Sequence, residues 1–317
     1  MNSRELVKAA IAHRETPRVP YCIQLTRDMR DKLRTKLGVD DVGAFMRDDV
    51  ALVTPPWWRW YELGEDWRGA QTPHTPGTVA GTGSYRDFAD TVARLRNESG
   101  RYVLVAIYGS HFEKANFARG IENFLADIAA DYAFAKRLCT TIVDKNMVML
   151  ENILALDGID GVLLGSDWGA QRGLLFSPDT WDDLIRPGEQ REYDLVHSYG
   201  RDVWVHSCGS IEPLIPRLVE MGVDVLNPVQ PECMDISKLK ADAGDRLTFW
   251  GGISTQTVLP FGTPDEVRAE ARRVRSIMAE DGGYIFSPSQ ELQGDVPVDN
   301  LMALLDVARE GRAALVG

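Results

Sequence analysis

The stretch Val203-Trp204-Val205-His206-Ser207-Cys208-Gly209 decides the fold prediction, because it joins an apolar strand to a polar turn. Three consecutive apolar residues are typical of a strand that is covered on both faces, as in a parallel sheet. His206 and Cys208 then follow the carboxyl end of that strand, which is where α/β barrels place their chemistry. Imidazole and thiolate are ligands for zinc and other soft metals, so this pair is a candidate site.

Short apolar runs of this kind alternate with longer segments of helical period along the whole chain. Eight such runs can be counted: Val19 to Gln24, Val50 to Thr54, Tyr102 to Tyr108, Gly161 to Leu164, Val203 to His206, Val223 to Asn227, Leu247 to Trp250 and Tyr284 to Phe286. Repeated alternation of strand and helix predicts a (β/α)₈ barrel of the α/β class. Helix starts are marked by Ser177-Pro178-Asp179 and by the capping box that begins at Thr263.

The domain organisation is predicted to be a single barrel over residues 1–317. The pattern lapses only between Pro55 and Asn97, where Trp, Gly, Thr and Pro are frequent. An insertion of this length in a compact domain is usually a lid, a hairpin or a binding loop. The tryptophans Trp57, Trp58, Trp60 and Trp168 either line the cavity as apolar walls or pack in the core and loops.

Composition limits the function classes. The formal net charge of −12 argues against nucleic acid or an anionic membrane as a partner and favours a small-molecule substrate. The four cysteines form no CxxC pair, which suits a reducing cytosol. The segment Met1 to Glu15 has no signal-peptide core, and no run approaches the roughly 18 apolar residues of a membrane span. We therefore expect a soluble, cytoplasmic protein.

Polar residues that follow the predicted strands should converge on one barrel mouth. They are Gln24, Tyr108, His111, Asp167, Trp168, Gln171, His206, Cys208, Asn227, Gln230, Gln290 and Glu291. Asp167, His206 and Cys208 are predicted to be catalytic. The residues predicted to contact substrate are Gln24, Trp57, Trp58, Tyr108, His111, Trp168, Gln171 and Asn227. For any single amide, the alternative is that it satisfies loop backbone groups, and for Asp167 that it braces a loop. A catalytic zinc needs three protein ligands, and only His206 and Cys208 are evident.

The chain resembles the uroporphyrinogen decarboxylase superfamily, in particular its methyltransferase-like branch of zinc-dependent corrinoid and coenzyme M methyltransferases. The matching segments are Asp167 to Gln171, Ser177-Pro178, His206 to Gly209, Val223 to Pro231, Trp250 to Ile253, Ser287 to Gln290, Asp295 to Pro297 and Asn300. The resemblance implies a barrel like that of the decarboxylase and of methionine synthase. It also implies a zinc ion, a corrinoid carried by a partner protein, and a homodimer.

The metal ligands that the resemblance implies are only partly present. The methyltransferases bind zinc through a His-x-Cys, here His206 and Cys208, and through a cysteine whose position falls on Gln290. The more distant methionine synthase adds a glutamate whose position falls on Gln230. Neutral amide oxygens would neither neutralise zinc nor match its softness. Three alternatives stay open: a weakly held metal, a substitute ligand, or a site without metal. The candidate substitutes are Glu291, Glu232 and Cys233.

The resemblance to the decarboxylase itself fails after the first strand. That enzyme reads a tetrapyrrole with eight carboxylates through arginines at this point, and here only Arg27 is present in the stretch Cys22 to Arg27. The leading hypothesis is therefore a methyltransferase of the corrinoid-linked demethylation type. The alternatives are a metal-free decarboxylase or lyase with His206 and Asp167 as acid and base, and a non-catalytic binding protein. The sequence does not identify the substrate or the methyl acceptor.

Overall fold

The structure is a computed structural model that describes residues 1–56, 85–107 and 109–311. Seven parallel strands of this part form one curved sheet. In sheet order they are β1 (Val50–Val53), β2 (Tyr102–Ala106), β3 (Gly161–Gly165), β6 (Asp202–His206), β7 (Val225–Val229), β8 (Thr248–Ile253) and β9 (Tyr284–Pro288). A separate antiparallel pair, β4 (Gly169–Ala170) and β5 (Gly173–Leu174), lies between β3 and β6 in sequence.

The sheet is closed into a barrel by residues 19–25, which take the eighth strand position. Isolated bridges join Tyr21 to Phe286 and Leu25 to Leu292 on one side, and Asp49 N donates to Tyr21 O at 2.9 Å on the other. Pro20 has no N–H group, and only its carbonyl takes part, accepting from Phe286 N at 2.8 Å. The predicted barrel is confirmed. The predicted first strand, Val19 to Gln24, is held by bridges rather than by a continuous ladder.

Helices surround the sheet on its outer face. In the described part of the chain they are α1 (Ser3–Ile11), α2 (Arg27–Leu37), α3 (Val42–Met46), α4 (Tyr85–Ser99), α5 (His111–Arg119), α6 (Ile121–Ala130), α7 (Tyr132–Leu154), α8 (Pro178–Leu184), α9 (Arg186–Ser198), α10 (Ile215–Glu220), α11 (Ile236–Ala243), α12 (Val258–Phe261), α13 (Pro264–Met278) and α14 (Val298–Ala308). The predicted caps are present, since Ser177 accepts from Thr180 N and Thr263 forms a capping box with Glu266. None of these helices combines the length and apolar character of a membrane span.

The predicted insertion, residues 55–97, extends too far along the chain and includes part of a helix. Residues 85–97 belong to α4, the helix that precedes β2. Phe88 and Val92, four residues apart, are buried on the inner face of this helix. That apolar spacing outweighs the loop-like composition of the preceding stretch. Residues 57–84, with Trp57, Trp58 and Trp60, lie outside the described residues.

Aromatic side chains fill the barrel interior at the amino-terminal ends of the strands. Trp204 packs edge-to-face on Trp250 at 5.4 Å between ring centroids. The Trp204 indole N–H donates to the Tyr102 hydroxyl at 3.0 Å, and that hydroxyl donates to Asp202 at 2.6 Å. These side chains fill the bottom of the barrel, and the central cavity opens toward the carboxyl ends of the strands.

Gly209, which follows Cys208, is packed directly under the β4 strand. Its φ is +81°, and an added Cβ would lie 2.6 Å from the Gly169 carbonyl carbon and 2.7 Å from Ala170 O. Backbone atoms cannot move aside as a flexible side chain can.

We predict that Gly209→Ala destabilises the fold by about 2–4 kcal/mol, through the positive φ and the overlap together. Urea unfolding measures this, with Gly200→Ala as a control, since Gly200 also has a positive φ but meets nothing within 4 Å. Equal losses in the two variants would contradict the packing argument.

Candidate metal centre

A cavity of about 820 Å³ opens at the carboxyl ends of the barrel strands. The polar side chains that line it and bear on the chemistry are Gln24, Asp48, Glu113, Asp167, His206, Cys208, Asn227, Gln290 and Glu291. Strand register explains their convergence. Gly165 of β3 pairs with His206 of β6, and His206 pairs with Asn227 of β7, so residues at or just past these positions share one level of the barrel.

The His206 ring is oriented by Asn227. Asn227 Nδ2 donates to the backbone carbonyl of Trp250 at 3.3 Å, which leaves its Oδ1 to face His206 Nδ1 at 2.6 Å. An amide oxygen can only accept a hydrogen bond, so Nδ1 carries the proton. Nε2 then faces away from Asn227, toward Cys208 and Asp167, which is the arrangement of metal-binding histidines.

A thiol and a carboxylate lie close to His206 Nε2. Cys208 Sγ is at 3.3 Å and Asp167 Oδ1 is at 3.6 Å. One ligand atom from each of the three residues lies within 4.8 Å of the other two. These atoms come from two adjacent strand ends, because Asp167 follows β3 while His206 ends β6 and Cys208 follows it. A nitrogen, a sulfur and a carboxylate oxygen form a zinc-type donor set.

The loops that carry these groups are fastened to each other. Cys208 N donates to Asp167 Oδ1 at 2.8 Å, and Trp168 N donates to Ser207 Oγ at 3.1 Å. Gly209 N donates to the Gln230 side-chain oxygen in a short hydrogen bond. These bonds connect the loop of Asp167 to the turn of Cys208 and so limit how far the two side chains can move apart.

The Cys208 thiol is a poor nucleophile in this environment. Burial and then the negative charge of Asp167 raise its pKa well above the usual range, although the Gln290 amide donates to Sγ at 2.7 Å and opposes the shift. The thiol is therefore protonated at neutral pH in this environment. A cation placed between Cys208 and Asp167 would reverse the sign of the local field.

The other residues predicted as metal ligands are dispersed. Gln290 contacts Cys208, and Glu291 lines the cavity with an exposed side chain. The prediction for Gln230 as a ligand does not match the structure, because its oxygen is used by Gly209 N and its side chain is absent from the cavity wall. The substitute ligands considered for it, Glu232 and Cys233, also lie outside this wall, and Ser254 Oγ donates to Glu232.

Several predicted substrate contacts lie elsewhere. Trp168 is fully buried and packs edge-to-face on Trp181 at 5.3 Å, because its side chain turns into the helical layer. His111 is fully buried behind the sheet at the start of α5. Gln171 is exposed and lies 3.5 Å from Gln256. Gln24 and Asn227 do line the cavity. Tyr108, like the tryptophans of the insertion, lies outside the described residues.

Two acidic residues of the cavity wall were not predicted. Burial and then the Asp167 charge raise the pKa of Glu113 to about 8. Burial raises the pKa of Asp48 to about 7. Glu113 lies on α5 rather than at a strand end, and Asp48 precedes its strand, so strand-end counting passes over both.

Asp48 gives a testable pH dependence of stability. Its pKa is higher in the folded than in the unfolded chain, so its contribution is fully present below about pH 4 and is lost as pH rises through 7. Asp48→Asn keeps an oxygen that can accept from Ile23 N, which donates to Asp48 at 2.9 Å. We expect this variant to be more stable than the wild type by about 2 kcal/mol at pH 8.5, after allowance for partial exposure, and by much less at pH 5. Thermal unfolding at pH 5 and at pH 8.5 measures the stability difference between variant and wild type. A difference that does not change with pH would contradict the prediction.

Comparison with known proteins places the chain in a family. The sequence profile described as Uroporphyrinogen decarboxylase (URO-D) matches residues 72–311, which is most of the chain. The protein belongs to the uroporphyrinogen decarboxylase family. This confirms the resemblance that the strand-end motifs indicate.

Relatives within the URO-D family include two kinds of enzyme. The chain is 27% identical over 173 residues to a uroporphyrinogen decarboxylase of Azoarcus sp. (strain BH72), covering 50% of this chain and 44% of the relative. It is 27% identical over 131 residues to the methylcobamide:CoM methyltransferase MtaA of Methanosarcina barkeri, covering 41% of this chain and 36% of the relative. The matches thus span less than half the length of these curated relatives.

The fold is shared with a solved methyltransferase from Methanosarcina mazei. That structure superposes with a TM-score of 0.72 over 97% of this chain and 98% of its own, at 16% identity. Identity this low shows a common fold only. Together the comparisons show that the relatives are enzymes, either methyltransferases or decarboxylases.

The donor atoms present in this URO-D protein fit a zinc ion. His206 offers Nε2, and Cys208 and Asp167 offer two potential negative charges that would neutralise Zn²⁺. Three protein ligands are the number found in catalytic zinc sites. The position at which the resemblance expects a third, cysteine ligand holds Gln290, whereas the structure offers the Asp167 carboxylate beside the same two residues.

Asn227 gives a prediction that separates ring orientation from ligation. Asn227→Leu removes the acceptor at His206 Nδ1 but leaves every donor atom in place. Loss of such a second partner typically weakens metal binding 10- to 100-fold. We expect a zinc dissociation constant raised by roughly that factor, measured by competition with a chromophoric chelator. Gln24→Leu, another amide of the cavity wall, is the control and should leave the constant unchanged.

Proposed function

We propose that the protein is a zinc-dependent methyltransferase that moves a methyl group between a small methylated substrate and a thiol or corrinoid acceptor. The observation that carries the proposal is the convergence of His206 Nε2, Cys208 Sγ and the Asp167 carboxylate on one cavity. The similarity to the methylcobamide:CoM methyltransferase supports the reaction class. In this proposal Asp167 is the third zinc ligand, and a corrinoid, where one is used, is carried by a partner protein at the barrel mouth.

Zinc bound to these residues would supply a Lewis acid that lowers the pKa of a substrate thiol and so favours its thiolate at neutral pH. The chain's own groups prepare that environment. Asn227 keeps the proton of His206 on Nδ1, and the Cys208 N–H holds the Asp167 carboxylate against the strand end. Glu113, whose pKa is about 8, offers the cavity a protonated carboxyl that can donate a hydrogen bond to a polar group of the substrate.

A second candidate function is supported by a different feature of the same residues. His206 Nε2 and Asp167 Oδ1 are 3.6 Å apart, close enough to cooperate as a proton acceptor and donor in a metal-free decarboxylase or lyase. The similarity to uroporphyrinogen decarboxylases supports this alternative. It requires no metal, so a chelator should leave its activity unchanged.

The reaction can be tested with methylcobalamin and 2-mercaptoethanesulfonate, using protein loaded with zinc. In the expected reaction, the thiolate sulfur forms a bond to the methyl carbon, the cobalt–carbon bond breaks, and its electron pair stays on cobalt as cob(I)alamin. Loss of the methylcobalamin spectrum should depend on zinc and stop on addition of a chelator. Cys208→Ser should lose this zinc-dependent reaction. Cys233→Ser is its matched control, since Cys233 is a partly buried cysteine outside the cavity wall. Chelator-insensitive release of CO₂ from small acids, with no methyl transfer, would instead support the second candidate.

A further inference from the structure

A second cluster of ligand-type side chains lies behind the sheet, outside the central cavity. His111 begins α5, and Glu189 and Glu192 lie one turn apart on α9. All three are essentially fully buried, and one ligand atom from each lies within 4.8 Å of the others. We propose that His111, Glu189 and Glu192 form a buried site for a divalent metal ion. This inference does not depend on the proposed function.

The hydrogen bonds of the cluster satisfy only one of its two carboxylates. Asn146 Nδ2 donates to Glu192 Oε1 at 2.8 Å, and Ser110 Oγ donates to Glu192 Oε2 at 2.8 Å. The buried Lys114 ammonium, which donates to Asn146 Oδ1 at 3.1 Å, provides one positive charge. One lysine balances one glutamate. Burial and then the charge of Glu192 raise the pKa of Glu189, so a divalent cation at this point would displace the proton that the second carboxyl otherwise keeps.

Polar atoms around Glu189 lack partners. Glu189 Oε1 is 3.4 Å from His111 Nδ1, and it has no hydrogen bond of normal geometry. The Tyr193 hydroxyl, on a fully buried ring, faces Glu189 but falls short of a hydrogen bond of normal geometry, and His111 Nε2 has no such bond either. Buried polar atoms without partners are uncommon in folded proteins, and several around one carboxylate indicate a bound ligand. The Tyr193 hydroxyl adds to the acidic cluster an independent, uncharged group aimed at the same point.

The donor chemistry selects a metal ion of the first transition row. One imidazole nitrogen and two carboxylates suit zinc, manganese or iron, and the mutual distances allow three bonds of about 2.0–2.2 Å after small side-chain adjustments. A surface cavity of about 70 Å³ reaches the edge of His111 between α7 and α9, beside Gly188 and Arg191, and offers an entry path. An ion here would fix the start of α5, the helix that presents Glu113 to the central cavity.

Cobalt binding tests this site separately from the central one. Co²⁺ bound to Cys208 gives an intense thiolate-to-cobalt charge-transfer absorption, whereas Co²⁺ bound only by nitrogen and oxygen does not. Metal-stripped protein is titrated with Co²⁺, and bound metal is counted after equilibrium dialysis. We expect two ions per chain in the wild type, with charge-transfer absorption equivalent to one thiolate-bound ion. The wild-type titration therefore tests both sites before any variant is made.

Variants then assign the two ions. Glu189→Gln, which preserves side-chain shape, should lose one ion and keep the charge-transfer absorption, while the exposed control Glu122→Gln keeps both ions. The double variant His206→Ala, Cys208→Ser should lose the absorption and keep one ion. A double variant that stays folded by circular dichroism and binds no metal would overturn the buried site. If the wild type showed no charge-transfer absorption but Glu189→Gln still removed one ion, the buried site would be supported and the central one overturned.

Discussion

Cobalt-loaded Cys208→Ser protein is expected to lack the thiolate-to-cobalt charge-transfer absorption of the wild type. Cys208 Sγ lies 3.3 Å from His206 Nε2 and is the only thiol among the described residues of the cavity wall that lies beside a histidine. A serine hydroxyl keeps the shape of the side chain but is a far weaker ligand for a zinc-type metal. We expect the affinity of the central site to fall by roughly 10³-fold, which corresponds to about 4 kcal/mol. Optical titration with Co²⁺ gives both values.

Cys233→Ser is the control for this experiment, because it removes a different partly buried thiol and should leave the spectrum unchanged. Zinc-dependent methyl transfer should fall with the loss of metal in Cys208→Ser and survive in Cys233→Ser. An unaltered cobalt spectrum in Cys208→Ser would show that the thiol is not a ligand.

Asp167→Asn is expected to weaken metal binding at the central site by at least about 100-fold. The Asn side chain still has an oxygen that can accept from Cys208 N, which donates to Asp167 at 2.8 Å, so the loop geometry is preserved. The change removes only the negative charge and the harder anionic ligand. Competition with a chromophoric chelator measures the dissociation constant.

The control for this charge removal is Asp179→Asn, on the first turn of α8, which should bind zinc as the wild type does. If Asp167→Asn bound zinc with wild-type affinity but lost activity, Asp167 would act on the substrate rather than on the metal. That result would favour the acid and base roles of the second candidate function.

The sequence predicts the barrel and the His206-Cys208 pair because both depend on local pattern. Apolar runs at regular intervals give the strands, and polar residues just past them give the mouth. The sequence also places Asp167 at the barrel mouth, but its proposed role as a ligand follows from register. The pairing of Gly165 with His206 brings Asp167 to the same level as Cys208.

The predicted site residues that lie away from the cavity do so for one physical reason, which is side-chain direction. Trp168 follows the same strand end as Asp167, yet it turns outward and packs on Trp181. His111 follows β2 but enters a buried network behind the sheet, and Gln230 braces Gly209 instead of facing the cavity. Conversely, Glu113 reaches the cavity from a helix. Sequence position fixes the neighbourhood of a residue, whereas long-range packing decides which way its side chain points.

The central claim is that His206, Cys208 and Asp167 together hold a metal ion, and anomalous diffraction at the zinc edge tests it most directly. Crystals of protein incubated with zinc should show an anomalous peak about 2.0–2.3 Å from His206 Nε2, Cys208 Sγ and an Asp167 carboxylate oxygen. The account predicts that peak in the wild type and its loss in Cys208→Ser. A wild-type map with no peak among these three residues at saturating zinc would contradict it.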